Sequence, residues 1–266
     1  MNHVRSTDGT AIAYDRVGHG PALIVVDGAL CSRSFGPASK LAQLLAPHFS
    51  VTTYDRRGRG QSGDTDPYSP AREVEDIAAL IEAAGGSACL LGLSSGGALA
   101  LHAAAAGLPI DKVIAYEPPY VDEGSQRGEA EHEARLKQLL ADGNRAGAVK
   151  YFMKDMVGAP APVVVMLRVM PWIWRKLLSV AHTLPYDAAV MTRFKIPRSR
   201  FSSIAAATLV MSGTKTDPRL RAAANALAGV IPSARYRELP GQTHNVSPTV
   251  LVPAALEFLT AARSGM

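Results

Sequence analysis

Short apolar runs alternate along the chain with longer stretches in which apolar side chains recur at helical spacing. The short runs are rich in Val, Ile and Leu and are typical of strands buried on both faces; they lie at residues 11–17, 23–26, 51–54, 88–93, 113–116, 208–211 and 234–239. The helical stretches lie at residues 37–45, 70–84, 95–106, 218–228 and 248–262. This alternation predicts an α/β fold, a mostly parallel sheet flanked by helices on both faces.

The predicted helix at residues 70–84 shows both of its ends in the sequence. Ser69 is a candidate N-cap, Pro70 suits the first turn, and Gly85-Gly86 ends the helix. Apolar side chains at positions 74, 77, 78 and 81 form one stripe, so this helix is expected to pack on the sheet.

The alternation of strands and helices stops after Pro119 and resumes near Ser202. We therefore expect a core domain at residues 1–119 and 202–266 and an inserted helical cap at residues 120–201. The cap carries four large side chains that either line a substrate cavity or pack the cap onto the core: Met153, Met156, Trp172 and Trp174.

Composition excludes several classes of protein. The 266 residues are 47% apolar and 19% charged, without low-complexity tracts, which excludes collagen-like and disordered chains. The net charge of +5 is scattered, so no nucleic-acid partner is expected. Cys31 and Cys89 are too few for a disulfide framework and are expected to be reduced. With neither a signal peptide nor an 18-residue apolar stretch, we expect a soluble, cytoplasmic protein without a membrane partner. The sequence is compatible with a monomer or a homodimer.

One glycine motif matches a dinucleotide-binding pattern, but the residues around it do not fit such a site. The segment Gly58-Arg59-Gly60-Gln61-Ser62-Gly63 matches G-x-G-x-x-G, but polar loop residues follow it where a dinucleotide site needs a helix N-terminus. Zinc and P-loop signatures are missing from the sequence as well. We therefore expect these glycines to form backbone turns, and we expect neither a cofactor nor a metal.

A second glycine motif has the context that its chemistry requires. In Gly92-Leu93-Ser94-Ser95-Gly96, Ser94 follows a predicted buried strand and opens a helix of small residues. This is the strand-turn-helix arrangement of a nucleophile elbow, in which the strained turn needs small neighbours. The alternative is an ordinary serine N-cap.

A serine nucleophile needs a histidine base, and that histidine needs a carboxylate to orient it. Of seven histidines, His244 lies in the loop between the last predicted strand and the last predicted helix, where the chain order Ser, acid, His places the base. His244 is therefore the predicted base for Ser94.

Five segments carry a resemblance to a known family. The chain resembles α/β-hydrolases over its whole length, and especially a bacterial group of small hydrolases with the motifs V-D-G-A-L-C, Y-D-R-R-G-R-G, G-x-S-S-G, Y-E-P-P and G-Q-T-H, which stand at residues 26–31, 54–60, 92–96, 116–119 and 241–244. Zearalenone lactonases are a more distant likeness. The resemblance implies the α/β-hydrolase fold, a Ser-His-acid triad, an oxyanion hole and a lid. The chain departs from many family members at Asp27-Gly28, where those carry His-Gly.

Two carboxylates compete for the role of triad acid. Asp217 follows the strand at residues 208–211 and is the conventional choice, but Asp217-Pro218 also suits an N-cap and first turn. Glu117 lies just after the strand that follows the elbow helix, and the lactonase-like pattern uses that position. We favour Glu117 and keep Asp217 as the alternative. The oxyanion hole is expected at the backbone of Ser95 and of the Gly28-Ala29 turn, and the arginine-rich loop at residues 55–62 is expected to be structural.

These residues predict a serine hydrolase that cleaves a small-molecule ester or lactone through an acyl-enzyme. A serine nucleophile disfavours the dehalogenase and epoxide hydrolase branches of the fold, which attack with aspartate. Carbon–carbon bond hydrolysis and acyl transfer remain alternatives, because the same triad permits both. A small-molecule receptor that retains the triad is an alternative from another class, because a fold does not determine a function.

Overall fold

A computed structural model, which describes residues 2–121 and 129–261, contains one sheet of eight strands. The order across the sheet is β1-β2-β4-β3-β5-β6-β7-β8. The strands are β1 (Asn2–Arg5), β2 (Ala11–Val17), β3 (Ala22–Val26), β4 (Ser50–Tyr54), β5 (Ala88–Leu93), β6 (Ile110–Tyr116), β7 (Ala207–Gly213) and β8 (Ala234–Leu239). Strand β2 pairs antiparallel with β1 and β4, and every pair from β4 to β8 is parallel. The carboxyl ends of β3 and β5 to β8 therefore meet at one edge.

Five helices cover the two faces of this sheet. They are α1 (Ala38–Leu45), α2 (Pro70–Ala83), α3 (Ser95–Ala105), α10 (Pro218–Ala228) and α11 (Pro248–Thr260). Apolar side chains of α1 and α11 pack on one face, and those of α2, α3 and α10 pack on the other. The predicted α/β class is therefore confirmed, with the core split into two apolar layers around the sheet.

Between β6 and β7 the described chain is helical. It forms α4 (Glu129–Ala141), α5 (Arg145–Tyr151), α6 (Ala161–Val169), α7 (Pro171–Ser179), α8 (Leu184–Val190) and α9 (Arg198–Phe201). A third apolar cluster links this segment to Ala29 and Leu30, in the loop after β3. Met153, Met156 and Trp174 pack in this cluster, whereas the side chain of Trp172 is 62% exposed. Part of the predicted cap, residues 122–128, lies outside the described residues.

Most predicted elements have the expected bounds within three residues. The exception is β1, whose sequence Asn2-His3-Val4-Arg5 lacks the apolar run of a central strand because it lies at the edge of the sheet. Ser69 occupies the N-cap position of α2, but its side chain makes no capping hydrogen bond, which corrects that expectation. None of the helices in the described ranges is long and apolar enough to cross a membrane.

Candidate active site

Ser94 lies in the sharp turn between β5 and α3. Its backbone adopts φ +53° and ψ −125°, an unfavourable conformation for a residue with a Cβ. The turn is held by the hydrogen bond from the Ser94 N–H to the Tyr116 carbonyl, at 2.8 Å. A Cβ at Gly96 would lie 2.2 Å from the Val26 carbonyl oxygen, so only glycine permits β3 to approach the turn this closely. The strand-turn-helix geometry that the sequence indicated is present.

Three side chains from separate loops meet at this edge of the sheet. His244 Nε2 lies 3.1 Å from Ser94 Oγ, and His244 Nδ1 lies 2.7 Å from Glu117 Oε2. The His244 side chain is 34% exposed, whereas the Glu117 side chain is fully buried. The structure thus brings together Ser94, His244 and Glu117, which are 150 residues apart at most along the chain.

The hydrogen bonds of Glu117 determine which nitrogen of His244 carries a proton. An ionised carboxylate only accepts, so His244 Nδ1 must donate to Glu117 Oε2 and Nε2 is left as an acceptor for the Ser94 hydroxyl. The other oxygen, Oε1, accepts from the Gly213 N–H at 2.7 Å and from Thr216 Oγ1 at 2.6 Å. Glu117 is therefore buried with both oxygens satisfied, and its position is fixed.

Neighbouring residues hold the histidine loop in place. Tyr116, directly before Glu117, donates its hydroxyl hydrogen bond to the Thr243 carbonyl at 2.6 Å. The Lys215 N–H donates to the Gln242 carbonyl at 2.8 Å. Sequence reasoning did not single out the supporting roles of Tyr116, Gly213 or Thr216. The signal for Thr216 was its place beside the conventional acid position after β7.

Asp217 does not contribute to this group of side chains. Its Oδ1 accepts from the Arg219 N–H at 2.9 Å, which caps α10, and its side chain is 48% exposed in an ion pair with Arg219. The hydrogen bonds from Arg219 hold the pKa of Asp217 below its usual value. Asp217 thus has the geometry of an N-cap, the structural role that the sequence offered as an alternative to catalysis.

The Gly28-Ala29 turn packs directly against the elbow. A Cβ at Gly28 would lie 3.1 Å from the Leu93 carbonyl oxygen and 3.2 Å from Ser94 Cβ. The preceding residue, Asp27, is buried, and its Oδ1 accepts no hydrogen bond from the described residues. Burial raises the pKa of Asp27 to about 7, opposed by the Arg59 cation and the Ala38 N–H.

The three arginines of the loop after β4 are buried, and each is paired with a carboxylate. Arg56 donates to Glu73 at 2.6 and 2.7 Å, and Arg57 donates to Asp76 at 2.7 and 2.9 Å. Arg59 donates to Asp187 of α8 at 2.7 Å. Each guanidinium is thus compensated by a carboxylate in the protein interior, as suits a structural loop.

No group of three or more His, Cys, Asp or Glu within residues 2–121 and 129–261 could hold a metal ion. Gly58 and Gly60 have φ of +73° and +53° and form turns rather than a helix N-terminus. Cys31 and Cys89 do not form a disulfide bond with each other, and burial raises the pKa of the Cys31 thiol to about 12.

Comparison with known proteins fits this geometry. The model of the alpha/beta hydrolase family matches residues 18–256. The chain belongs to the alpha/beta hydrolase family. The prediction of this fold and of a hydrolase is therefore confirmed, while the likeness to zearalenone lactonases stays a prediction.

Individual relatives differ in how much of the chain they share. An alpha/beta hydrolase from Sphaerobacter thermophilus is 48% identical, with a TM-score of 0.91 over 97% of this chain and 100% of its own. An enol-lactonase from Burkholderia xenovorans, 20% identical with a TM-score of 0.71 over 98% of this chain and 100% of its own, shows the fold alone. A pimeloyl-[acyl-carrier protein] methyl ester esterase from Xanthomonas campestris is 34% identical over 151 residues. That match covers 54% of this chain and 57% of the esterase, so the chain spans about half the length of this curated relative.

Proposed function

We propose that this alpha/beta hydrolase cleaves small carboxylic esters or lactones with a Ser94, His244 and Glu117 triad. The observation that carries the proposal is the continuous pair of contacts from Ser94 Oγ to His244 Nε2 and from His244 Nδ1 to Glu117 Oε2. A hydroxyl is a poor nucleophile at its own pKa, and this arrangement supplies the acceptor for its proton.

In the first half-reaction, His244 Nε2 takes the proton of Ser94 while Oγ attacks the substrate carbonyl carbon. The carbonyl oxygen becomes an oxyanion, which accepts from the backbone N–H groups of Ser95 and Ala29, with Gly28 providing the close turn. Collapse of this intermediate expels the alcohol, which receives the proton from His244. The buried Glu117 carboxylate stabilises the imidazolium that exists between these two transfers.

In the second half-reaction, water gives a proton to His244 and attacks the acyl group on Ser94. The acid product leaves and the serine regains its proton. An ester yields an acid and a separate alcohol, whereas a lactone yields one hydroxy acid. The name of the Xanthomonas relative, a methyl ester esterase, supports ester chemistry over carbon–carbon cleavage.

The helical segment up to residue 201 is proposed to act as the cap of this site. Its apolar cluster contacts Ala29 and Leu30, beside the proposed oxyanion turn, and Asp187 of α8 hydrogen-bonds Ser95 at 2.8 Å. Both contacts put the insertion next to the elbow. Met153, Met156 and Trp174 serve mainly its packing.

Ser94→Ala tests the proposal. The wild-type protein should turn over p-nitrophenyl acetate and react with a fluorophosphonate probe, and the variant should do neither while melting at the same temperature. Ser202→Ala makes the same substitution at an exposed serine whose hydroxyl bonds to the Ser199 carbonyl, and this control should keep turnover and labelling. Normal probe labelling of Ser94→Ala, or a wild-type protein inert to an ester and lactone panel, would contradict the proposal.

A further inference from the structure

The buried guanidinium of Arg59 connects the helical insertion to the turn proposed to form the oxyanion hole. Its Nη1 donates to the Gly28 carbonyl at 2.7 Å, its Nη2 to Asp187 Oδ2 at 2.7 Å and its Nε to Thr183 Oγ1 at 3.1 Å. With a partner on each nitrogen, the guanidinium has one orientation.

The contact with Gly28 acts on the next backbone N–H. The Gly28 carbonyl and the Ala29 N–H belong to one planar peptide unit and point in opposite directions when the peptide is trans. Holding the carbonyl on the Arg59 side therefore directs the N–H to the other side. A charge-assisted hydrogen bond to the carbonyl also polarises the peptide, which strengthens its N–H as a donor.

The same carboxylate also supports the second proposed donor. Asp187 Oδ1 accepts from Ser95 Oγ at 2.8 Å and from Arg56 Nη1 at 2.8 Å. Burial alone would raise the pKa of Asp187, but Arg59 and Arg56 lower it below its usual value, so this carboxylate stays charged. One side chain of α8 thus reaches both sides of the elbow.

We propose that Arg59, held by Asp187, is a positioning residue that sets the direction and donor strength of the Ala29 N–H in the oxyanion hole. This inference rests on the proposed function, because it assigns a role within the same site. It also gives the helical insertion a part in the reaction: α8 supplies the carboxylate that keeps the arginine in place.

The test compares Arg59→Lys with Arg57→Lys. Arg57 is equally buried in the same loop, but it pairs with Asp76 and Asp8, and none of its hydrogen bonds within the described residues reaches the Gly28 turn. Arg59→Lys should lower kcat and the maximal rate of fluorophosphonate labelling by about 10- to 100-fold, less than the loss of a whole donor, with KM within about two-fold. Arg57→Lys should lower the melting temperature and leave kcat of the folded enzyme unchanged.

Two further measurements keep the claim falsifiable. If Arg59→Lys does not fold, Thr183→Val removes the acceptor of Arg59 Nε and should reduce kcat in the same direction by a smaller factor. The ¹⁵N chemical shift of the Ala29 amide should change in the Arg59 or Thr183 variant and not in Arg57→Lys, and this readout needs no activity.

The outcomes separate this inference from the proposed function. A labelled wild-type enzyme whose Arg59→Lys and Thr183→Val variants keep their labelling rate and kcat would overturn the inference and leave the proposed function standing. A wild-type protein that the probe does not label would contradict the proposed function. In that case an Ala29 amide shift unchanged by the variants would overturn the positioning role as well.

Discussion

Glu117 and Asp187 are both fully buried carboxylates near the elbow, yet their partners differ in kind. Asp187 accepts directly from Ser95, whereas Glu117 reaches Ser94 through His244. Asp187 binds two guanidinium groups, which stay charged throughout the pH range in which proteins fold. Glu117 binds a backbone N–H, a hydroxyl and one imidazole. The ion pairs of the described residues include none between Glu117 and a lysine or arginine.

Asp187 is thus paired with permanent cations, whereas the hydrogen-bond donors of Glu117 within the described residues include no permanent cation. The charge of Asp187 is neutralised before any substrate arrives, so its effect is to hold structure. Glu117 accepts from an N–H, a hydroxyl and an imidazole, so in the proposed reaction the protonated imidazole becomes its counter-ion. In the proposed reaction, this carboxylate stabilises the imidazolium that forms while His244 carries the proton of Ser94.

The largest expected effect follows from removing the charge of Glu117. Glu117→Gln should lower kcat by about 10⁴, because a glutamine amide can favour the wrong imidazole tautomer and cannot stabilise the imidazolium. Steady-state kinetics on p-nitrophenyl acetate measure it, with circular dichroism to check folding. Retained turnover in this variant would remove Glu117 from the proposed triad and erase the contrast with Asp187.

A buried carboxylate that pairs with an arginine away from the elbow should affect stability and not turnover. Asp76→Asn leaves Arg57 buried with only Asp8 as counter-ion and should cost about 3 kcal/mol of unfolding free energy. Urea unfolding measures this loss, and kcat of the folded protein should stay within about two-fold of wild type. Glu75→Gln, a change to a partly exposed ion pair on the same helix, should cost about 0.5 kcal/mol or less. Equal losses of unfolding free energy in the two variants would show that burial does not make the Asp76 ion pair more important than the Glu75 pair.

Asp27 is a further buried carboxyl, and its Oδ1 accepts no hydrogen bond from the described residues. Its folded pKa of about 7 exceeds the usual 3.8, so the folded state holds a proton that the unfolded state releases. Its contribution to stability is therefore complete below about pH 4 and is lost as the pH rises to about 7. Asp27→Asn should remove this pH dependence and raise stability at pH 8 by on the order of 2 kcal/mol. Urea unfolding at pH 5 and pH 8 measures this. The prediction is wrong if the free energy of unfolding changes equally between the two pH values in wild type and Asp27→Asn.

The smallest expected effect concerns the exposed carboxylate after β7. Asp217→Asn should cost about 1 kcal/mol or less, because asparagine still caps α10, and turnover should stay within about two-fold. Thermal unfolding and steady-state kinetics measure both. A dead Asp217→Asn beside an active Glu117→Gln would reverse the assignment of the acid.

The elements of the fold are largely predictable because they depend on local patterns. Apolar runs mark β5 and β6, and Pro218 and Pro248 mark the first turns of α10 and α11. The edge strand β1 is not predictable in this way, because three of its four residues are polar and its pairing with β2 comes from the tertiary fold. Ser69 has the right sequence position for a cap and makes no capping bond, which a pattern cannot reveal.

The candidate site is predictable to the extent that topology limits the choice. Chain order and strand ends reduce seven histidines to His244 and the carboxylates to Glu117 and Asp217. Their contacts agree with the favoured choice, but the catalytic roles stay predictions until the variants are measured. The supporting hydrogen bonds from Tyr116, Gly213 and Thr216 join loops far apart in sequence, and no local pattern encodes such pairs.

By itself the sequence determined the α/β class, the strained serine turn and a short set of polar residues at the carboxyl edge of the sheet. Periodicity and steric requirements are local, so they can be seen in a single chain. The tertiary structure alone decided the partners of the buried arginines, Asp187 with Arg56 and Arg59 and Asp76 with Arg57, and it brought Glu117 rather than Asp217 to His244. A charge can enter the interior only with a compensating group, and that group can come from any element that packing brings within hydrogen-bonding distance.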